Sequence, residues 1–358
     1  MSNIRTVITG SGSYIPEELI ENKDFLKNSF YTPEGKQFEN STSDIIEKFH
    51  AITGIRERRY ASKEILNSDM AAEAGSKAIL SAGIDKESID HIIVAHNFGD
   101  VSSNEPIPDM VPSLASRVKH KLGIKNPYCI AYDVIFGCPG WIQGVIQADL
   151  LIKTGNAKSI LVIGSETLSR VADPFDRDSM IYSDGAGATL IQAIESEDEI
   201  GLIKHTCMSH TNEEVHFLMM GQGYYEESKN DNYMKMNGRM IYNYALSNVP
   251  PALKECLDLS GLDISDISKV LIHQANAKMD EAIIQRLFKL YGQSEYPEEV
   301  LPMSIDKLGN NSVATVPMLY DLIKNQLLSG HSFQSRDVLL FASVGAGMNI
   351  NAFTYRHP

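Results

Sequence analysis

The segment Ala131-Tyr-Asp-Val-Ile-Phe-Gly-Cys138-Pro-Gly-Trp-Ile-Gln-Gly-Val145 sets a cysteine between an apolar run and an amphipathic stretch that opens with proline. The nucleophilic form of cysteine is the thiolate, and the positive end of a helix favours it. The spacing predicts that Pro139 takes the first helical position, where its missing N–H has no intrahelical partner. Cys138 then stands at the helix tip with a lowered pKa, and Gly137 and Gly140 let a substrate approach. Cys129, Cys207 and Cys256 have no such setting. The competing reading for all four is a small buried hydrophobe, the usual state of a free cysteine.

Two further segments could serve such a thiolate. In Lys269-Val-Leu-Ile-His273-Gln-Ala-Asn276 a histidine stands where an apolar strand ends and a helix begins, which is where α/β proteins display functional side chains. A neutral imidazole there could donate to an enolate oxygen or exchange a proton with the thiol; packing at a strand end is the alternative. In Leu308-Gly-Asn310-Asn311-Ser-Val the amide of Asn310 offers an N–H donor whose charge does not change with pH, although this segment taken alone favours a turn or cap residue. Near the end, Phe341-Ala-Ser-Val-Gly345-Ala-Gly347-Met-Asn bends after an apolar strand, and its backbone N–H groups, with that of Cys138, could hold a thioester oxygen.

The elements that must position these groups alternate between short apolar runs and amphipathic stretches, the pattern of an α/β protein. Strands are predicted over Arg5–Thr9, His91–His96, Cys129–Asp133, Ser159–Gly164 and Ala186–Ile194. Beyond the acidic stretch Glu195–Glu199 they resume over Gly201–Cys207, Lys269–His273, Val338–Ser343 and Ile350–Tyr355. Helices are expected over Ser68–Ala82, Val111–Leu122, Pro139–Thr154, Met240–Leu259, Lys278–Leu290 and Val313–Leu328. The order in the second half echoes the first, so two halves are expected, 1–195 and 196–358. Residues 209–237 are polar and aperiodic and read as a long loop over an active site.

A chain of 358 residues, 43% hydrophobic, exceeds what one core usually supports. Its net charge of −14 argues against the broad basic face that nucleic acid requires. No leader or membrane-length apolar run is visible, so a cytoplasmic protein with no membrane insertion is expected. Four cysteines without CxxC spacing are expected to be reduced. His205, His210 and His216 are spaced for no single helix face and read as solvated rather than metal-binding. Two basic groups, Arg56 with Arg58 and Arg59, and Arg117 with Lys119, Lys121 and Lys125, could dock an acidic carrier or simply be solvated. Gly185 and Gly187 read as tight packing.

Taken together, these segments resemble the 3-oxoacyl-acyl-carrier-protein synthase III family of thiolase-fold condensing enzymes. The likeness also runs through Gly10-Ser-Gly-Ser-Tyr-Ile-Pro16, Thr53-Gly-Ile-Arg-Glu-Arg58, Asp176-Arg177, Ser183-Asp-Gly-Ala-Gly-Ala188 and Met236-Asn-Gly-Arg239. It implies a duplicated five-layer αβαβα thiolase-like fold, a homodimer, and acyl-coenzyme A or acyl-carrier-protein thioesters as partners. No metal or organic cofactor is implied. By the resemblance Cys138 carries the acyl group, His273 and Asn310 assist malonyl decarboxylation, and Gly347 supplies an oxyanion N–H beside that of Cys138. Arg56, Arg177, Asn276 and Lys278 are the expected substrate or carrier contacts, and Val111 and Phe136 the acyl-tunnel residues.

The chain departs from the family in places. The family's adenine-stacking tryptophan is absent from Ile45-Ile-Glu-Lys-Phe-His50, which weakens the coenzyme A contact, and Lys278 replaces an arginine. In the family the tip of the loop Asn97–Val111 enters the partner's tunnel, often with a phenylalanine aligned to Val111, so the smaller side chain here predicts room for a longer acyl group. No cysteine precedes the Gly345 turn, which disfavours thiolysis. Ala95-His-Asn-Phe-Gly-Asp100 and Arg170-Val-Ala-Asp-Pro-Phe-Asp-Arg-Asp178 look like a branch that joins a 3-oxoacyl and an acyl unit and closes a dialkylcyclohexanedione or dialkylresorcinol ring. A catalytically silent, carrier-binding subunit is the alternative of another class.

Overall fold

The computed structural model describes residues 3–104 and 107–358. Glu105 and Pro106, in the loop Asn97–Val111, lie outside the described residues, as do Met1 and Ser2. Five strands form the first sheet: β1 (Asn3–Tyr14), β2 (His91–Ala95), β3 (Ile130–Val134), β4 (Ser159–Thr167) and β5 (Asp184–Ser196), in the order β1-β5-β4-β2-β3. β5 runs antiparallel to both β1 and β4, while β4, β2 and β3 are parallel.

The second sheet repeats this plan. Its strands are β6 (Gly201–Ser209), β9 (Ile267–Ile272), β10 (Val338–Gly345) and β11 (Asn349–Arg356), in the order β6-β11-β10-β9, antiparallel twice and then parallel. No sequence repeat is needed for the duplication, because burial on both faces asks only for continuous apolar runs.

Successive side chains of these runs serve different layers. On β4, Ile160 and Val162 face the centre of the molecule while Leu161 and Ile163 face outward; on β10, Leu339 and Phe341 face the centre while Leu340 and Ala342 face away. The central layer is α4 (Gly140–Lys153) and α7 (Thr315–Lys324), packed between the two sheets. Trp141 is buried there against Phe341 and Phe353. Helices α2 (Asn67–Ala82) and α3 (Leu114–Lys121) cover the first sheet, and α5 (Gly238–Ser260) and α6 (Ala277–Leu290) the second. These are the five layers expected.

Two expectations are corrected and one helix is added. Residues 209–237 are not one loop: β7 (Leu218–Gln222) and β8 (Asn232–Met236) pair as an antiparallel hairpin. Its strand residues pack on a cavity rather than a sheet, so no core-facing alternation marks them. Helix α1 (Thr42–Thr53) was unforeseen, although Ser41 caps it and Gly54 ends it in the left-handed conformation. α3 starts three residues later than predicted because Ser113, after Pro112, accepts from Ser116 N and so fixes the first turn.

Candidate active site

Cys138 leaves the end of β3 through Gly137 and precedes α4. Pro139 is the N-cap of that helix rather than its first helical residue, so the cysteine stands one residue further out than predicted. Two glycines make the approach possible. Gly137 has φ 65°, and a Cβ there would lie 2.7 Å from Ala346 N. A Cβ on Gly345 would lie 2.5 Å from Cys138 N. The turn after β10 is thereby pressed against the cysteine.

His273 follows β9, its N–H donating to Ala342 O at 2.9 Å and so extending the parallel ladder past the strand end. Asn310 is fixed between Ile181 O, which accepts from its N–H at 2.9 Å, and Ser183 N, which donates to its carbonyl at 2.9 Å. The Asn310 Oδ1 accepts from Ser312 N at 2.8 Å, which leaves the NH2 end as the free end of the side chain. His273 and Asn310 are 4% and 7% exposed. The thiol, imidazole and amide line one cavity of about 240 Å³.

Most of that cavity is apolar. Phe98, Leu168 and Tyr182 form one wall, and the β7–β8 hairpin supplies Leu218, Met219, Met220, Met234 and Met236. Methionines adapt their shape to a flexible chain. The hairpin is held to the first half by Lys235, buried on β8, whose Nζ lies 2.5 Å from Asp173 Oδ2 and 3.2 Å from Asp176 Oδ2.

Burial keeps both titrating groups uncharged. The Cys138 thiol is pushed up to about 11 by burial, with the Ser312 hydroxyl pulling it down in part and the Glu166 carboxyl adding to the rise. The shift is thus opposite to the lowered thiol pKa expected, and loss of solvation is its largest cause. His273 is pushed down to about 4 because burial penalises imidazolium, with the Ser312 backbone opposing part of that. A neutral imidazole beside a neutral thiol can accept a proton as well as donate an N–H.

Other expected site residues lie elsewhere. The turn lines the cavity through Val344, Gly345, Ala346 and Met348, not Gly347. Phe136 is outside the lining and packs on the central core, while Phe98 occupies the wall. Val111 is 84% exposed and lines no part of this cavity. Arg56 pairs with Asp306 at the surface, Nη2 to Oδ2 2.5 Å. The exposed Arg177 lies with its guanidinium 5.1 Å from the Phe38 ring. Asn276 caps α6, accepting from Met279 N at 3.1 Å, and Lys278 is exposed beside it. Neither touches the cavity, although Ala275 and Met279 do.

The basic groups suggested for carrier docking are largely committed within the chain. Arg58 is 0% exposed, donates to Met180 O, Ile20 O and Asn22 Oδ1, and lies over Phe25. Arg117 pairs with Asp100 and Asp109, and Lys121 with Asp69. His205 lies on β6, within the strand expected there, and His210 bonds the Tyr244 hydroxyl at 2.7 Å. A Cβ on Gly187 would lie 2.6 Å from Met318 N, in keeping with the packing role read for it.

Sequence reasoning missed Ser312, Asn97 and Glu166. Ser312 Oγ lies 3.4 Å from Cys138 Sγ, Asn97 Nδ2 3.3 Å from Ser312 Oγ, and both Asn97 donors 2.6 Å from Glu166 Oε1. The available signal was the acid near the end of the apolar run Ser159–Thr167, every residue of which is buried.

Comparison with known proteins agrees with this architecture. Residues 132–210 match the family model for 3-oxoacyl-[acyl-carrier-protein] synthase III, and residues 257–357 match the model for its C-terminal part. The beta-ketoacyl-[acyl-carrier-protein] synthase III of Erythrobacter litoralis is 32% identical over 355 residues, covering 99% of this chain and all of its own. Synthase III 1 of Halalkalibacterium halodurans is 33% identical over 96% of both chains. The crystal structure of 3-oxoacyl-[acyl-carrier-protein] synthase III from Aquifex aeolicus superposes with a TM-score of 0.81 at 28% identity, covering 98% of this chain and 100% of that one. Near-complete coverage at over 30% identity, joined to a duplicated sheet plan, leads to one assignment: the chain belongs to the 3-oxoacyl-[acyl-carrier-protein] synthase III family of condensing acyltransferases.

Proposed function

We propose that Cys138 is the acylated nucleophile of a decarboxylative Claisen condensation, with His273 and Asn310 handling the extender. The observation that carries this reading is the meeting of one thiol, one neutral imidazole and one free amide end in a single apolar cavity. His273 accepts the thiol proton as Cys138 attacks the primer thioester, and the departing carrier thiol takes that proton away. The malonyl-type extender then loses CO2, and its carbanion is held as an enolate by N–H donors of His273 and Asn310. Attack on the Cys138 thioester forms the new carbon–carbon bond and expels the thiolate. The backbone N–H groups of Cys138 and Ala346, rather than Gly347, would hold the tetrahedral oxygen, a reading supported by Ala346 lining the cavity beside Gly137.

The proposed partners are acyl-coenzyme A or acyl-carrier-protein primers and a malonyl-type carrier thioester, as the relatives' names suggest for the carrier. The repeated strand order favours two halves meeting at residues 195 and 196. Four unpaired cysteines fit a reducing compartment such as the cytoplasm. A homodimer would let the exposed Val111 enter the cavity of the partner. No helix of the described residues is long and apolar enough to cross a membrane.

The test is a condensation assay with an acyl-coenzyme A series, malonyl-acyl-carrier protein and mass detection of products. Linear 3-oxoacyl products with equimolar CO2 are expected. Their absence with every primer, on a chain that folds normally, refutes the reading; cyclised products from a 3-oxoacyl extender would establish the ring-forming alternative instead.

A further inference from the structure

Glu166 lies near the end of β4 with a carboxyl group that, among the described residues, has no cationic partner. Its Oε2 is buried without a hydrogen bond, and its Oε1 accepts two bonds from a single residue, Asn97 N and Nδ2, each at 2.6 Å. The other end of the Asn97 amide is also used, since its Oδ1 accepts from Gly137 N at 3.1 Å. That pair of contacts fixes which end of the amide is which. Nδ2 also reaches Ser312 Oγ at 3.3 Å. An amide N–H can only donate, so the serine oxygen must accept, and its own hydrogen is left for Cys138 Sγ at 3.4 Å. The direction of every bond from Glu166 to the sulfur is thereby set.

The backbone of Ser312 shows that this placement is imposed. Its φ is 50°, a left-handed conformation that residues with side chains rarely adopt. The bond from its N–H to Asn310 Oδ1 helps to hold it there. Strain of this kind persists where the surroundings over-determine it, and it clusters at sites of chemistry.

We propose that Glu166 and Asn97 are positioning residues that act through Ser312, holding its hydroxyl as a donor to the Cys138 sulfur so that the thiolate formed in each acyl transfer is stabilised. The proposal rests on reading Cys138 as the nucleophile. Other titratable groups near this chain are His273 beyond β9, Tyr182 before β5, Asp184 on β5, and His96 beyond β2. The His96 ring is occupied by Gly99 N at 2.9 Å and lies 2.9 Å from Asp133.

The test is the rate of Cys138 alkylation by iodoacetamide against pH, read on the Cys138 peptide by mass so that the exposed Cys207 does not contribute. Asn97→Ala and Ser312→Ala are each expected to move the midpoint up by about one pH unit, about tenfold in rate below it, with the high-pH plateau retained. Glu166→Gln keeps an acceptor oxygen and is expected to leave the midpoint unmoved or lower. Midpoints of Asn97→Ala and Ser312→Ala that coincide with wild type would overturn the proposal, as would a Glu166→Gln shift as large as that of Asn97→Ala. Ser312→Ala, the smaller change, decides alone if Asn97→Ala does not fold. Alkylation reads the sulfur without any acyl donor, so a failed condensation assay and a failed relay are separate results.

Discussion

Burial moves Cys138 and His273 in opposite directions and both toward the uncharged form. A neutral imidazole is the form that can take the thiol proton, so the acid limb of the primer-acylation rate is expected well below the ordinary histidine range. His273→Ala should slow Cys138 acylation, because the imidazole takes the thiol proton, and should also lose on the order of 10²–10³ in malonyl decarboxylation, as when one oxyanion donor is removed. Cys138 acylation unaffected by His273→Ala would contradict the role of the imidazole as base. The linkage to stability has a definite sign. The unfolded histidine binds its proton near 6.5, the folded one only near 4, so this residue lowers stability as pH falls between those values. Glu166 behaves in reverse: burial raises it from 4.5 to about 8, so its contribution is full below 4.5 and is lost as pH rises to about 8. Glu166→Gln should flatten the fall in denaturant stability across that interval, and an unchanged slope would show the carboxyl to be ionised in the folded chain.

The hairpin β7–β8 is the element on which the cavity roof depends, and it hangs on Lys235. The lysine is buried between Asp173 and Asp176 with the Tyr224 ring 3.2 Å from Nζ, so removing it leaves two carboxylates without their cation. Lys235→Met is expected to cost about 3–5 kcal/mol in urea unfolding and to expose residues 218–236 to proteolysis before the sheets. Loss of stability without early hairpin cleavage would place the clamp elsewhere. The elements differed in how plainly the sequence announced them. Strands buried on both faces showed as uninterrupted apolar runs, and Cys138 and His273 were legible as candidates because each stands where such a run gives way to a helix. The hairpin was not, because its methionines face a cavity and leave no alternation to detect. Ser312, Asn97 and Glu166 were hidden for another reason: their importance lies in contacts between β4, the loop after β2 and the turn before α7, which no local pattern records.

At the scale of the whole molecule, two copies of one strand plan enclose α4 and α7, and the site forms where the N-terminal end of α4, the end of β9 and the turn before α7 converge. This is why residues 138, 273 and 310 meet although they are distant in the chain. The duplication was readable from element order, whereas the place of Val111 was not, since it is exposed on its own chain. If the chain pairs as proposed, Val111→Phe should shift the preferred primer toward shorter acyl chains with little change in melting temperature; an unaltered chain-length profile would remove Val111 from the tunnel. The most direct test of the central claim is the intact mass of the protein after incubation with acyl thioesters, followed by peptide mapping. One acyl group per chain on the Cys138 peptide, absent from Cys138→Ser, is the predicted result. An adduct that survives Cys138→Ser, or none on the wild-type chain, would contradict it.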